Sequence, residues 1–539
     1  MTKFIFVTGG VTSSVGKGIT VASLGAVLKA RGLSVTVQKM DPYLNVDPGN
    51  MSPYQHGEVF VTKDGAETDL DLGNYERFID TELTAASSIT SGKIYSRLIA
   101  KERRGDFSGG TIQVVPHLVN EIKSCFHSLA LESKADVVIV EVGGTVGDIE
   151  GQPFLEAIRQ MKKDAGRDNV CYIHVTLLPH IGPTGELKTK PTQHSVGELR
   201  RIGIQPDVVV LRADRQIPEE IRDKVALFCD LEKEAVIFMP SAPSIYDVPL
   251  MLEKEGLSRL IGDLLKIKMK KADTSKWEKL VSSLKAIDND VTIALVGQYV
   301  ELQDAYYSVR EALSHAAIAN GCQLNILWVQ SEDLEKGNAE RLLGKAQGII
   351  IPGGASDRGI EGKIVAARYA REYNIPYLGL CLGMHVMLIE LTRYILGNNE
   401  ANYSKLCPDT NQPVVSALDD RNCDGNTRLG NCACVLKDGT KVANSYGCLN
   451  IIERHRHRFE FNNYYRDLLE QNGLLMAGTS ADGSLVEVVE LKEHPFMVAC
   501  QYNAEFLSRP GRPHPLFNSF IAIAKKVVIQ GGQSCLPLA

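Results

Sequence analysis

Apolar runs of strand length alternate with segments of helical pattern along most of this chain. Phe4–Val7 precedes an Ala/Leu-rich stretch from Ile19 to Arg31, and Val35–Lys39 follows it. Strand, helix and strand in that order predict a βαβ unit and therefore a parallel sheet. Further strands are predicted at Val137-Val-Ile-Val-Glu141, Val170–Leu178, Val208–Leu211 and Val236–Phe238. Near Lys266–Lys271 the pattern breaks into a charged, helical connector that runs to about Asn289. New strands then open at Val291–Gly297, Leu324–Val329, Gly348–Ile351, before Cys381, and at Phe496–Tyr502. The expected fold class is α/β, with two doubly wound domains at 1–267 and 290–535 and a linker at 268–289.

The first turn carries the first chemistry. Gly9-Gly-Val-Thr-Ser13-Ser-Val-Gly-Lys17-Gly lies between a strand and a helix, the order that builds a phosphate cradle from backbone N–H groups. Lys17 would add a point charge on a β- or γ-phosphate. Five residues rather than four separate Gly10 from Gly16, and Gly18 replaces the usual Ser/Thr, so this is P-loop-like rather than a strict Walker A. The plain alternative is an ordinary glycine-rich turn. A triphosphate usually brings Mg²⁺, held by one or two protein carboxylates. Asp71, in Glu67-Thr-Asp69-Leu-Asp71, and Glu141, at a strand end, are the expected metal pair; alone, the acidic triplet reads equally as a solvated turn. The loop Glu186–Ser195, with Lys188 and Lys190 among hydroxyls and amides, suits a second nucleotide, although such loops are often only solvated surface.

The later domain does not repeat that loop. Its centre is Gly379-Leu-Cys381-Leu-Gly383, the spacing of a nucleophile elbow, with a helix behind it expected to lower the thiol pKa. A buried structural cysteine is the competing reading. Pro352-Gly353-Gly354 would supply an oxyanion hole. Such a cysteine normally works with a histidine base oriented by a carboxylate. After Phe496–Tyr502 comes Asn503-Ala504-Glu505, which has the carboxylate and no histidine; His494 is at the far end of the strand. His385, four residues past Cys381, is a candidate replacement base. His455 and His457, within Arg454–Arg458, read as anion or substrate contacts.

Composition narrows the partners. The 539 residues carry a formal net charge of -6, so there is no basic footprint for nucleic acid. No apolar run is long enough for a membrane helix, and the chain enters a strand at once, so neither membrane nor signal peptide is expected. The 12 cysteines lack paired metal-ligand spacing; reduced thiols and a cytoplasmic location are expected.

Several stretches occur in a specific order: Gly9–Gly18, Asp41-Pro-Tyr-Leu-Asn-Val-Asp47-Pro-Gly49, Ser52-Pro-Tyr-Gln-His-Gly-Glu-Val-Phe60, Glu141–Glu150, Lys188–Ser195 and Arg454–Arg458. Together, over nearly the whole chain, they resemble the cytidine triphosphate (CTP) synthase family. The resemblance implies an N-terminal synthetase domain and a C-terminal class I glutamine amidotransferase domain. It also implies a reaction in which ATP phosphorylates the 4-oxygen of UTP and ammonia displaces the phosphate. Carried over by motif, Ser14, Val15, Gly16, Lys17, Gly18, Ile19, Asp71, Arg212, Pro240, Ser241 and Ala242 bind ATP, with Mg²⁺ on Asp71 and Glu141. Ser13, Lys188, Thr189, Lys190, Pro191, Thr192, Gln193 and Lys224 bind UTP or CTP, and Asp148, Ile149 and Glu150 contact cytosine nucleotide during feedback. Gly354, Leu382, Gly383, Met384, His385, Lys405 and Arg458 hold glutamine, and Cys381, Asn503, Glu505 and Lys17 stand at catalytic positions.

The glutaminase half departs from the family pattern. Asn503-Ala504-Glu505 replaces His-Pro-Glu, His385 replaces Gln, Lys405 replaces Glu, and Ala355-Ser-Asp-Arg358-Gly replaces Phe-Gly-Tyr-Arg-Gly. Ser108 replaces a leucine in the lid, and Pro240–Ala242 lacks the Lys-Asp pattern. The resemblance implies a homotetramer, CTP feedback, GTP as effector and nitrogen from glutamine; the departures imply nitrogen here mainly from free ammonia and a decayed GTP activation. A catalytically silent nucleotide-binding regulatory or assembly paralogue is the alternative.

Overall fold

The computed structural model describes residues 2–182, 185–285, 290–354, 358–404, 410–417 and 427–529. The chain forms two compact units. One comprises Met1–Asn50 and Thr68–Val281, the other Met51–Glu67 and Ser282–Ala539.

In the first unit, seven strands among the described residues form one parallel sheet. They are β1 Lys3–Gly9, β2 Val35–Asp41, β3 Ser88–Thr90, β4 Val137–Val142, β5 Val170–Leu177, β6 Val208–Ala213 and β7 Val236–Pro240. Their order is β7-β6-β5-β1-β4-β2-β3, so β1 is central and the chain winds outward to both sides. Strands covered on both faces need apolar side chains at nearly every position, and β1, β2 and β4 are buried almost throughout. Phe6 stacks edge-on against Phe126 at 5.2 Å under one face. Helix α1, Lys17–Ala30, is small and apolar all round and buried along most of its length. Helix α2 is Asp71–Ile79, and α3 is Lys190–Arg201. The connector is helical at Ser275–Lys285, and Trp277 packs on Phe78 at 5.2 Å.

The main sheet of the second unit has nine strands among the described residues. These are β8 Asp290–Gly297, β9 Gln323–Gln330, β10 Gly348–Ile351, β11 Tyr377–Leu380, β12 Arg428–Leu436, β13 Asn450–His457, β14 Leu474–Ser480, β15 Val486–Leu491 and β16 Met497–Cys500. The order is β9-β8-β10-β11-β16-β15-β14-β12-β13. The first five run parallel, and β15, β14, β12 and β13 extend the sheet antiparallel. This half-antiparallel sheet is the main departure from a doubly wound expectation. Helix α4, Tyr307–Ala319, and helix α5, Leu382–Leu396, are mostly buried.

The compact units cut the sequence differently from the expected domain boundaries. Residues 51–67 pack with the second unit, because their backbone and carboxylates satisfy its polar groups. The Glu58 carboxylate accepts from the Ser308 N–H at 3.0 Å, and the wholly buried Arg454 donates to the Val61 carbonyl at 3.1 Å. Arg456 pairs with Glu67 at 2.7 Å, and Phe60 packs on Phe506 at 4.9 Å.

Candidate active site

In the first unit the turn after β1 leads straight into α1, whose N-terminal flank, Gly16, has φ +93°. The Lys17 ammonium donates to the Gly144 carbonyl at 2.8 Å, so it spans from the loop to the end of β4. A small cleft there is lined by Thr8, Gly9, Gly143, Gly144 and Thr145. Arg212, from β6, lies against Gly16 and donates to the Met239 carbonyl at 3.1 Å. The Ser241 N–H bonds the Ala213 carbonyl at 2.8 Å, which holds Pro240–Ala242 at the same sheet end. The fold therefore brings the ATP-assigned residues of three strands to one edge.

Helix α3, which follows the loop expected to hold a second nucleotide, reaches that sheet end through a buried relay. Thr8 Oγ1 bonds His174 Nδ1 at 2.9 Å, and His174 Nε2 bonds Ser195 Oγ at 2.9 Å. A Cβ at Gly10 would fall 1.7 Å from Ser195 Oγ, so the phosphate loop rests directly on α3. Burial pushes His174 down to about 3, so the imidazole is a neutral strut. Thr192 is anchored to Thr176 at 3.0 Å and Gln193 to Thr189 at 3.2 Å. Lys188 pairs with Glu186 at 2.6 Å, Lys190 lies 5.5 Å over the Phe228 ring, and Lys224 is exposed near Glu186. Asp148 accepts from the Thr145 N–H at 2.8 Å, while Ile149, Glu150 and Ser13 are exposed.

Carboxylates crowd one buried lysine at this sheet end. Lys39 lies 2.9 Å from Asp69 and 3.8 Å from Asp41, and also bonds Asp71. It is the register partner of Glu141, which accepts from the Tyr75 hydroxyl at 2.5 Å. Burial pushes Asp41 up to about 8 and Glu141 up to about 7, despite Lys39 nearby. Four carboxylates around one ammonium leave excess negative charge, and hard oxygen donors suit Mg²⁺. A Cβ at Gly18 would fall 2.2 Å from Asp71 Oδ1, so this carboxylate stands at the mouth of the phosphate loop. Among the described residues no three His, Cys, Asp or Glu are arranged to hold a metal by themselves. Asp71 and Glu141 bring carboxylate oxygens, the donor type that Mg²⁺ takes, to this sheet end.

In the second unit Cys381 forms the elbow between β11 and α5 with φ +49° and ψ −99°, a strained conformation for a residue with a side chain. The flanking glycines are required: a Cβ at Gly383 would meet the Ile351 carbonyl at 2.3 Å, and one at Gly379 would meet Gly383 itself at 2.7 Å. Gly353 faces both Cys381 and Asn503, at 3.5 Å from Cys381 Cβ and 3.2 Å from Asn503 Nδ2 for an added Cβ. Gly354 lies beside Leu382. The expected lowering of the thiol pKa does not occur. Burial and the Glu505 carboxylate push Cys381 up to about 12, outweighing the Leu382 N–H at the helix start.

Asn503 Nδ2 donates to Glu505 Oε1 at 2.9 Å, and burial pushes Glu505 up to about 8. His385 does not face the thiol: its Nε2 bonds Gln501 Oε1 at 2.8 Å, and Gln501 Nε2 reaches Cys381 Sγ at 3.9 Å. Burial lowers His385 to about 4. His455 and His457, expected as anion or substrate contacts, form a buried pair, 3.0 Å apart, beside Arg428, Glu487 and Glu460. Desolvation holds both neutral. Arg458 and Ser108 are exposed, and Met384 is buried on α5. Lys405 and Ala355–Asp357 lie outside the described residues.

The family model for the CTP synthase N-terminus matches residues 3–267, and that for class-I glutamine amidotransferase matches 301–523. A CTP synthase of Dehalococcoides mccartyi is 64% identical over 543 residues, covering all of both chains. The chain belongs to the CTP synthase family. Another member, from Roseiflexus sp., is 58% identical over all of this chain and 98% of its own. The solved glutaminase domain of Trypanosoma brucei CTPS, with bound acivicin, is 36% identical over 44% of this chain and 94% of that one, at a TM-score of 0.42. The activity is CTP synthesis, a carbon–nitrogen ligation using UTP and ATP, and no comparison supports a silent paralogue.

Three groups placed at these sites by the fold were missed in the sequence. Lys39 was legible only as a strand end, yet a lysine closing a buried parallel strand signals carboxylates on its neighbours. His174 gave no sequence signal, because its place beside Thr8 is set by sheet register and its bond to Ser195, known only as the end of the Lys188–Ser195 stretch, by helix packing. Gln501 was hidden inside a strand whose importance lay two residues further on.

Proposed function

We propose that this chain aminates UTP through a 4-phosphorylated intermediate and draws its nitrogen mainly from free ammonia. The observation that carries the reading is the contrast between the two sites. Lys17, the phosphate loop, Arg212 and the α3 relay converge at one sheet end, whereas the amide of Asn503 stands beside Cys381 with no imidazole contact on the thiol. In this reading Lys17 and the N-terminus of α1 bind the β- and γ-phosphates of ATP and stabilise charge on the transferring group. Asp71 and Glu141 would hold Mg²⁺, which supplies charge neutralisation on the phosphates when bound. Ser13 and Lys188–Gln193 grip the UTP triphosphate, with Lys224 at its edge. The test is CTP formation from UTP and ATP, with glutamine and ammonium supplied in separate assays. CTP with ammonium alone is expected, and none with either source would overturn the reading.

Two finer features rest on the family. CTP is expected to inhibit by competing with UTP for the Lys188–Gln193 triphosphate contacts, with Asp148–Glu150 on the cytosine side. Initial rates at several CTP concentrations check this: inhibition unrelieved by raising UTP would place the inhibitor elsewhere. Tetramers are expected at saturating ATP and UTP, because the Glu150 and Lys188 segments resemble those that meet across subunits in the family. Sedimentation velocity showing only monomers would refute that. No described helix is long and apolar enough to cross a membrane, and a cytoplasmic location is part of the proposal.

A further inference from the structure

Between the phosphate loop and α3 stands a side chain to which the proposed chemistry gives no task. His174 is wholly buried on β5, and Thr8 of β1 is its register partner in the parallel sheet. Register partners on adjacent strands turn their side chains to the same face. Nδ1 lies 2.9 Å from Thr8 Oγ1, and Nε2 lies 2.9 Å from Ser195 Oγ on α3. Burial, with Lys17 adding to it, keeps the imidazole neutral. It therefore has one N–H and one lone pair, and joins the two hydroxyls as donor to one and acceptor from the other. A second rung, Thr176 to Thr192 at 3.0 Å, joins β5 to α3 two residues further along. The His174 rung continues to β1, and so to the loop that β1 enters.

The loop is seated on this chain of bonds. Gly10 N–H donates to the Val175 carbonyl at 3.0 Å, between the two rungs. A Cβ at Gly10 would meet Ser195 Oγ at 1.7 Å and His174 Nε2 at 2.8 Å, so nothing larger than glycine fits there.

We propose that His174 is a positioning residue for phosphoryl transfer: through Thr8 and Ser195 it fixes the distance between the phosphate loop and α3. The inference rests on the proposed placement of ATP on the loop and of UTP against Lys188–Gln193, which runs into the first turn of α3. With the nucleotides so placed, that distance governs how far the γ-phosphate stands from the 4-oxygen of UTP. Reacting atoms need to be about 3–3.5 Å apart, and a misplacement of about 1 Å can cost about 10²-fold.

The experiment uses the full-length protein with ammonium chloride as nitrogen source, which bypasses the thiol. His174→Leu is expected to lower kcat by about tenfold or more, with the KM for ATP and for UTP each within about twofold of wild type. That substitution also alters the sheet core, so two smaller ones test the same chain. Thr8→Val is isosteric, and Ser195→Ala removes a single oxygen. Each is expected to lower kcat several-fold at steady KM, and Thr8→Ser, which keeps the hydroxyl, to recover most of the loss. Links in series break once, so the double variant Thr8→Val with Ser195→Ala should be no slower than the slower single one. Two separate stabilising contacts would instead multiply their effects. Phosphate release gives an independent readout. ATP, UTP and ammonia yield ADP, CTP and one phosphate. Where the spacing is loosened, water takes the γ-phosphate and yields ADP and phosphate without CTP, so the phosphate-to-CTP ratio is expected to exceed one in the variants. Multiplicative effects, with the ratio at one throughout, would overturn the positioning role and leave the nucleotide placement intact. Lys188→Ala with an unchanged KM for UTP would overturn that placement and the positioning role with it.

Discussion

Lys17→Ala is expected to abolish CTP formation with glutamine and with ammonium alike. The Lys17 stem lies along Gly9, where an added Cβ would come 2.7 Å from Lys17 Cδ, and its ammonium bonds the Gly144 carbonyl at 2.8 Å. Burial and the neighbouring Lys39 lower its pKa, while Glu141, Asp71 and Asp41 oppose that shift and favour the charged form that a γ-phosphate would meet. Removing one preorganised donor from a developing oxyanion typically costs about 10² to 10³ in turnover. Both nitrogen sources should suffer equally, because the phosphoryl step precedes attack by ammonia. Lys17→Arg is not expected to rescue, since a planar fork does not fit the stem groove beside Gly9. An unchanged unfolding midpoint would exclude misfolding as the cause. Near-normal turnover in Lys17→Ala would mean that the loop is an ordinary glycine-rich turn.

The strands of both sheets were legible where burial on two faces forces unbroken apolar runs, as in Phe4–Val7 and Val137–Val140. The Gly-x-Cys-x-Gly spacing also found the elbow, because only glycines on both sides allow the close approach of β11, α5 and β10 around Cys381. The antiparallel half of the second sheet was not seen. Its strands β12–β15 mix polar and apolar positions, and their pairing is decided by neighbours distant in sequence. The same limit hid the fate of residues 51–67: nothing local says that Glu58 will bond Ser308 or that Val61 will cap Arg454. Titration was misread at Cys381 for a related reason. A helix N-terminus is visible in sequence, but the depth of burial that overrides it comes from packing by β16 and Glu505.

Asn503→His is expected to raise glutamine-dependent CTP formation by about 10² to 10⁴, the usual worth of a positioned acid–base group. In the wild type the thiol is raised to about 12, so thiolate is scarce at neutral pH, and attack on glutamine needs a base to take the proton. The Asn503 amide can neither accept that proton nor return it to departing ammonia. Its position is right for a base, since it shares the space at Gly353 with Cys381 and already donates to Glu505 Oε1 at 2.9 Å. An imidazole there would give Glu505 an N–H to orient and would turn a second nitrogen to the thiol. His385 is a poor substitute as the side chains stand. Its Nε2 is spent on Gln501, burial lowers it to about 4, and only the Gln501 amide reaches the sulfur. The check is a pair of initial rates, saturating glutamine against ammonium chloride, for wild type and Asn503→His. Comparable wild-type rates would refute the account, and loss of the glutamine rate in His385→Ala would then identify His385 as the base acting through a rearranged Gln501. If the wild-type glutamine rate is low and Asn503→His leaves it low, the defect lies in glutamine binding rather than proton transfer. The ammonium rate separates these cases, because it bypasses the thiol altogether.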